Sequence, residues 1–230
     1  MLTWLDPNDA APHFPALSSA LTEPNGLLAA GGSLSPEWLL EAYRLGIFPW
    51  FEDDQPILWW SPDPRLTLKP SQLHISRSLR KFINKNIYHC TVDNAFSHVI
   101  RACSQPRLTQ DETWITDSMI AAYEALFKLG HAHSIEIWQE DELVGGLYGV
   151  SIGQVFFGES MFSHQVNASK VAFVFLCQQL QSWGGQLIDC QVHSNHLASL
   201  GASSISRADF SKQLSQLCSQ PLAANAWGNS

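Results

Sequence analysis

Leu143-Val144-Gly145-Gly146-Leu147-Tyr148-Gly149-Val150-Ser151-Ile152, then Gly153, then Gln154-Val155-Phe156-Phe157-Gly158-Glu159-Ser160-Met161, reads as two strands joined at a glycine. Both runs are rich in β-branched and aromatic residues, and the glycine between them marks a tight turn. Upstream, Ser134 to Trp138 alternates, and Glu140-Asp141-Glu142 turns the chain, so the unit is a three-stranded meander. Downstream, Asn167 to Trp183 has the length of one long helix, with Gly184-Gly185 as its stop. Leu187 to Val192 is then a short apolar strand, and His196–Leu200 and Asp209–Leu217 are helical. A meander, a helix and a further strand predict an α+β fold.

The chain before this unit has a different character. Residues 1–34 are rich in Pro, Gly and Ala and read as mostly irregular. Ser35-Pro36-Glu37 starts a helix, with a capping hydroxyl and a proline at the first helical position, and Gly46 ends it. Ile47-Phe48-Pro49-Trp50-Phe51 and Ile57-Leu58-Trp59-Trp60-Ser61-Pro62 read as a rigid aromatic wall rather than a regular strand. A short helix is expected over 76–86 and another up to Cys103, capped by Asp93; Pro106–Thr113 is a polar loop and Asp117–Gly130 a helix. The expected division is a small N-terminal domain over 1–95 and an α+β domain over 96–230.

Composition narrows the function classes. The 230 residues are 45% hydrophobic, enough for a sizeable core. No basic stretch followed by an apolar run opens the chain, and no segment has 18 consecutive apolar residues, so neither a signal peptide nor a membrane span is expected. Five cysteines without a CxxC spacing point to reduced thiols and a cytoplasmic setting. The net charge of −8 opposes nucleic-acid binding, but its distribution does not. Arg65, Lys69, Arg77, Arg80, Lys81, Lys85, Arg101 and Arg107 face one acid, Asp93, so this stretch carries +7 and leaves −15 on the rest. A basic patch on an acidic body can hold a phosphate backbone in one orientation, or be no more than a solvated helix face.

Three groups of residues are candidates for chemistry. Asp189 and Gln191 alternate onto one face of an apolar strand, roughly 6–7 Å apart along it. A lone carboxylate there is costly unless paired. The two side chains together would orient an incoming amine; equally, Asp189 would pair with a structural arginine or cap a loop. Glu159 sits inside a second apolar run and would hold a substrate hydroxyl or amine, or form a salt bridge at a strand end. His131 with His133, and Cys190 with His193 and His196, lack the spacing of a zinc site, so no metal is expected. Cys190, mid-strand on a packed face, is a poor nucleophile.

The motifs Glu-Pro-Asn-Gly-Leu-Leu-Ala (23–29), Gly-Ile-Phe-Pro-Trp-Phe (46–51), Leu-Trp-Trp-Ser-Pro-Asp-Pro-Arg (58–65), Gly-Glu-Ser-Met-Phe-Ser (158–163), Asn-Ala-Ser-Lys (167–170) and Leu-Ile-Asp-Cys-Gln-Val (187–192) together resemble the bacterial leucyl/phenylalanyl-tRNA–protein transferases. The resemblance runs from about Glu23 to Asp209. It implies a GNAT-like acyltransferase domain, with a mixed sheet flanked by helices, behind the small N-terminal domain. It also implies a cytoplasmic, monomeric aminoacyltransferase without cofactor or metal. Its donor would be leucyl- or phenylalanyl-tRNA and its acceptor a protein with N-terminal Arg or Lys, marked thereby for degradation. Carried over residue by residue, Asp189 and Gln191 would be the catalytic pair. Trp50 and Trp114 would bracket the terminal adenosine, and Glu159 would contact the acceptor end. Leu147, Phe156, Ser163, Leu176 and Ile188 would form the donor side-chain pocket, and Arg77, Arg80, Lys81 and Lys85 would hold the tRNA. One rival is a coenzyme A-dependent N-acyltransferase, which needs a Gly-rich pyrophosphate loop before the long helix. Here Ser163-His164-Gln165-Val166-Asn167-Ala168 has no glycine. The other is a non-catalytic tRNA- or peptide-binding module.

Overall fold

The computed structural model describes residues 2–9, 11–105 and 115–228, so Trp114, Arg107 and the expected 106–113 loop lie outside the described residues. In chain order the elements are β1 (Thr3–Leu5), β2 (Leu27–Gly31), α1 (Pro36–Arg44), β3 (Phe48–Pro49), β4 (Leu58–Trp60), β5 (Arg65–Leu68), α2 (Arg77–Ile83), β6 (His89–Val92), α3 (Phe96–Cys103), α4 (Asp117–Lys128), β7 (Ala132–Gln139), β8 (Glu142–Ile152), β9 (Val155–Ser163), α5 (Ala168–Trp183), β10 (Leu187–Gln191), α6 (Asn195–Ala198), β11 (Ser203–Ile205) and α7 (Arg207–Leu217).

A four-stranded sheet in the order β1-β2-β4-β3 and a seven-stranded sheet in the order β11-β5-β10-β9-β8-β7-β6 share the strands. The first 34 residues are mostly irregular, as expected, but two strands lie within them: β1 pairs parallel to β2, and β2 antiparallel to β4. The aromatic wall is itself a strand pair, with Phe48 opposite Trp60 and Pro49 opposite Trp59. Proline is tolerated there because β3 is the edge strand of its sheet. Among the described residues of the large sheet only β10 and β9 run parallel; the other pairings are antiparallel, so the sheet is mixed. The sheets change over between Trp60 and Arg65, and β5 and β6 of the large sheet precede residue 95.

Side-chain alternation along the meander sends two sets of residues to opposite faces. Tyr148, Val150 and Phe157 join a core shared with α1, α3, α4, α7 and the small sheet. Ile135, Ile137, Leu147 and Phe156 join a second core under α5 and α2. One packed interior therefore spans both sheets. Gly46, at φ +79° after α1, reverses the chain where a Cβ would lie 3.0 Å from the Phe210 ring.

Asp93 does not cap α3. It sits at φ +59°, and Ala95 occupies the N-cap position. Its carboxylate instead accepts from the Ser134 amide at 2.7 Å and meets His133 Nδ1 at 2.7 Å, pinning the α3 approach to β7. Buried Glu136 accepts from the Asn94 and Ala95 amides at 3.4 and 3.3 Å, doing from a neighbouring strand what a local cap would do. After α7 the chain returns to the sheet. There the Trp227 indole stacks on His133 at 4.1 Å and 9°, packs against Trp183 and Phe156, and donates to Ser151 Oγ at 3.1 Å.

Candidate functional site

The site begins where two parallel strands separate. β10 stays paired with β9 only through Leu187–Val155, Ile188–Phe156 and Asp189–Phe157. Beyond this point β9 continues beside β8 as far as Ser163, while β10 shifts register against β5 between Asp189 and Gln191. Gln191 takes a left-handed backbone at φ +62°. The fork opens into a cavity of about 850 Å³. Trp50 and Phe48 line it from the small sheet, Gly158–His164 from β9 and the loop after it, Phe173 and Leu176 from α5, and Ile188–Val192 from β10 and beyond.

Asp189 is wholly buried, and its charge is met by an arginine that the sequence reading placed in the surface basic stretch. Arg65 is only 1% exposed. Its Nε and Nη2 donate to Asp189 Oδ1 and Oδ2 at 2.8 and 2.6 Å, the bidentate geometry that suits a guanidinium. Its Nη1 donates to the Gly46 carbonyl at 3.1 Å, and its guanidinium carbon lies 4.7 Å from the ring centres of both Phe48 and Phe210. Asp189 Oδ1 also accepts from the Gln191 amide at 2.9 Å. That bond fixes the backbone bulge and aims the Gln191 side chain.

Gln191 Nε2 donates to Glu159 Oε1 at 2.9 Å. Glu159 Oε1 also accepts from the Tyr43 hydroxyl at 2.7 Å, and Oε2 from the Tyr123 hydroxyl at 2.9 Å; the two hydroxyls touch each other. Burial pushes the Glu159 carboxyl up to about 7, against the pull of both tyrosine bonds; the nearby Asp189 charge adds to the rise and the Gln191 bond opposes it. Burial, with the Glu159 charge, likewise drives both tyrosines well above their usual range, so each remains a donor. One Nε2 hydrogen is committed to the carboxylate, which leaves the Gln191 carbonyl oxygen and the second Nε2 hydrogen for a ligand.

Leu147, Phe156, Leu176 and Ile188 are buried around this cavity and form an apolar recess. Ser163 lines the cavity at its exposed side, where its hydroxyl accepts from the Ser169 amide and donates to the Gln165 carbonyl. Trp50 is 44% exposed and leans on Trp60 at 5.6 Å, so one indole face is open. Arg77, Arg80, Lys81 and Lys85 are exposed on and after α2 and do not line this cavity. Tyr43, Tyr123 and Arg65 escaped the sequence reading. Arg65 carried one clue, since it closes the Trp-Trp-Ser-Pro-Asp-Pro-Arg motif, while the tyrosines look like ordinary members of apolar helix stripes. Among the described residues, no three His, Cys, Asp or Glu side chains are grouped to hold a metal ion.

A family model described as "Leucyl/phenylalanyl-tRNA protein transferase" matches residues 67–215, and one for the N-terminal domain of the same family matches 32–63. The leucyl/phenylalanyl-tRNA–protein transferase of Pseudomonas syringae pv. syringae is 58% identical over 225 residues, covering 98% of this chain and 97% of that protein. The protein of that name from Saccharophagus degradans is 55% identical over 100% of this chain and 95% of its own length. That from Nitrosomonas europaea is 58% identical, covering 93% of this chain and 91% of its own. Among solved structures, L-PGS from Bacillus licheniformis aligns over 70% of this chain and 54% of its own, at 13% identity and a TM-score of 0.43.

Proposed function

Because the chain belongs to the leucyl/phenylalanyl-tRNA–protein transferase family, we propose that the fork between β9 and β10 moves a leucyl or phenylalanyl group from tRNA to the N-terminal amine of a protein. In this reading the α-amine attacks the ester carbonyl of the aminoacyl-tRNA. The C–N bond forms as the C–O bond to the terminal ribose breaks. One proton leaves the amine and one is taken up by the departing ribose oxygen.

The observation that carries the reading is the hydrogen-bonded lock on Gln191 at the edge of an apolar recess. One Nε2 hydrogen is held by Glu159, and in this reading the carbonyl oxygen of Gln191, which lines the cavity, accepts from the attacking amine. An α-amine titrates near 8, so a good share is neutral at working pH and orientation matters more than a strong base. Asp189 serves as a positioning residue in this reading, because its oxygens are engaged by Arg65 and by the Gln191 amide.

Leu147, Phe156, Leu176 and Ile188 suit the donor side chain. Leu and Phe are unbranched at Cβ, so a recess narrow near Cβ would admit them and exclude Val and Ile. Such apolar selection supplies about 10–200-fold per methylene. The open face of Trp50 suits the terminal adenine, since base stacking contributes about 1–3 kcal/mol without sequence readout. We assign Trp114 as its partner on the family resemblance alone. The exposed bases of α2 suit the tRNA backbone.

The acceptor would begin with Arg or Lys and be marked for degradation, in the cytoplasm, by a monomeric enzyme. Coenzyme A as donor is disfavoured by the loop before α5. Its first amides are used internally, Ala168 N to the Gln165 carbonyl and Ser169 N to Ser163 Oγ, and are not presented to a pyrophosphate. The test is incubation with radiolabelled leucyl-tRNA and peptides beginning with Arg, Lys or Gly. Label on the first two alone, without ATP or added metal, is expected. Transfer to none of them, or equal transfer from acetyl-coenzyme A, would sink the proposal.

A further inference from the structure

A second cavity, of about 320 Å³, lies between α2 and the first turn of α5. We propose that it seats a phosphodiester of the single-stranded 3′ end of the donor RNA, with Lys170 as the contact supplied by α5. The proposal rests on the aminoacyl-tRNA reading above and adds to it a site and a residue.

The cavity is lined by Lys81, Lys85 and Lys170, by Ser76 and Ser78, and by no carboxylate. Among the described residues none of the three ammonium groups forms an ion pair. Three like charges around one small opening repel one another unless an anion sits among them, and compact ammonium donors beside hydroxyls suit a phosphate. The walls are fixed as well. The Tyr88 hydroxyl donates to the Val166 carbonyl at 3.0 Å, tying the chain after α2 to the loop that enters α5. The Phe82 and Tyr88 rings pack at 5.6 Å beneath it.

The helical spacing divides the basic cluster. Ser78, Lys81, Phe82 and Lys85 fall at i, i+3, i+4 and i+7, and all four line the cavity. Arg77 and Arg80 do not line it. The four bases are therefore not one patch. Two look into the cavity beside α5, and two are left for RNA farther from the reacting end.

Position relative to the reaction site supplies the last argument. Ser169 lines the main cavity and Lys170, the next residue of α5, lines the small one. His196 also lines the main cavity, and its pKa is lowered by burial and then by the Lys170 charge. A strand whose terminal adenosine occupies the main cavity needs only a short run of backbone to pass from the Ser169 side of α5 to Lys170.

The test compares three leucyl donors with wild type, Lys170→Gln, Lys81→Gln and Arg77→Gln: full-length leucyl-tRNA, a short leucyl oligoribonucleotide ending in CCA, and leucyl-adenosine, which has no phosphate. One single-strand phosphate contact lowers the salt slope by about 0.7, about four-fold in affinity at 0.15 M salt relative to 1 M. Lys170→Gln and Lys81→Gln should raise KM for the tRNA and for the oligonucleotide by about that factor. They should flatten the salt dependence and leave kcat unchanged, and Lys170→Arg should restore the wild-type values. Arg77→Gln should raise KM for the tRNA alone. The proposal is overturned if Lys170→Gln raises KM for leucyl-adenosine equally, if it leaves KM for tRNA unchanged, or if Arg77→Gln weakens the short donor just as much. Failure of the transferase reading itself would look different: wild type would transfer from none of the three.

Discussion

Replacing Asp189 by Asn keeps the shape of the side chain and removes its charge from beneath Arg65. The guanidinium then stays almost fully buried, keeping the Gly46 carbonyl and two aromatic faces but no counter-charge. Breaking one member of a buried ion pair costs about 3–5 kcal/mol, because the survivor is left desolvated and unpaired. For a chain of this length each kcal/mol is worth about 2–4 °C, so Tm should fall by roughly 6–20 °C. Urea unfolding of Asp189→Leu, Arg65→Met and the double variant Arg65→Met with Asp189→Leu, beside Asp189→Asn, would complete a mutant cycle. The double variant should recover most of the lost stability, since an apolar pair of similar volume carries no desolvation cost. It should not recover transfer, because Gln191 has lost the carboxylate that holds its backbone amide. Suppose instead that Asp189→Asn unfolds within about 0.5 kcal/mol of wild type while transfer falls a hundred-fold or more. Then the carboxylate acts on substrate, and the positioning argument fails.

Glu159 makes a pH prediction. Its folded pKa of about 7 lies above the ordinary 4.5, so the fold disfavours its ionised form. The stability it contributes is complete below about pH 4.5 and is lost as pH rises through 7, by at most about 3–4 kcal/mol. The unfolding free energy of wild type relative to Glu159→Gln should therefore fall between pH 5 and 8; a pH-independent difference would contradict this. Tyr123→Phe removes a bond that favours the carboxylate, so the acidic limb of the transfer pH profile should move to higher pH. Trp50→Ala should raise KM for aminoacyl-tRNA by a factor consistent with about 1–3 kcal/mol of stacking, with Tm nearly unchanged because the ring is exposed; a large Tm loss would mark it as a core residue.

Periodicity made the meander, β10 and their helices legible, because a meander and a long helix leave local marks in the chain. It did not find β5, β6 and β11 of the large sheet, nor β1 and β2, whose pairings depend on partners far along the sequence. Nor did it find the start of α3, where Glu136 of β7 meets amides that an N-cap side chain usually serves. At the site, the polar residues in apolar strands stood out, since Asp189, Gln191 and Glu159 break a pattern. Arg65 was hidden by being charged among other charges, and Tyr43 and Tyr123 by being aromatic on apolar helix faces. What distinguishes these three is a partner more than 30 residues away, which no local window contains.

The stacking of Trp227 on His133 has a practical consequence. That indole also packs against the Phe156 ring, which lines the apolar recess, so the turn that carries Trp227 backs the recess proposed for the donor side chain. Whatever is attached after Trp227, or cut away with it, is mechanically continuous with that recess. An affinity handle fused after Trp227, or a chain shortened before it, should be judged first by its discrimination between leucyl and phenylalanyl donors, and only then by its yield.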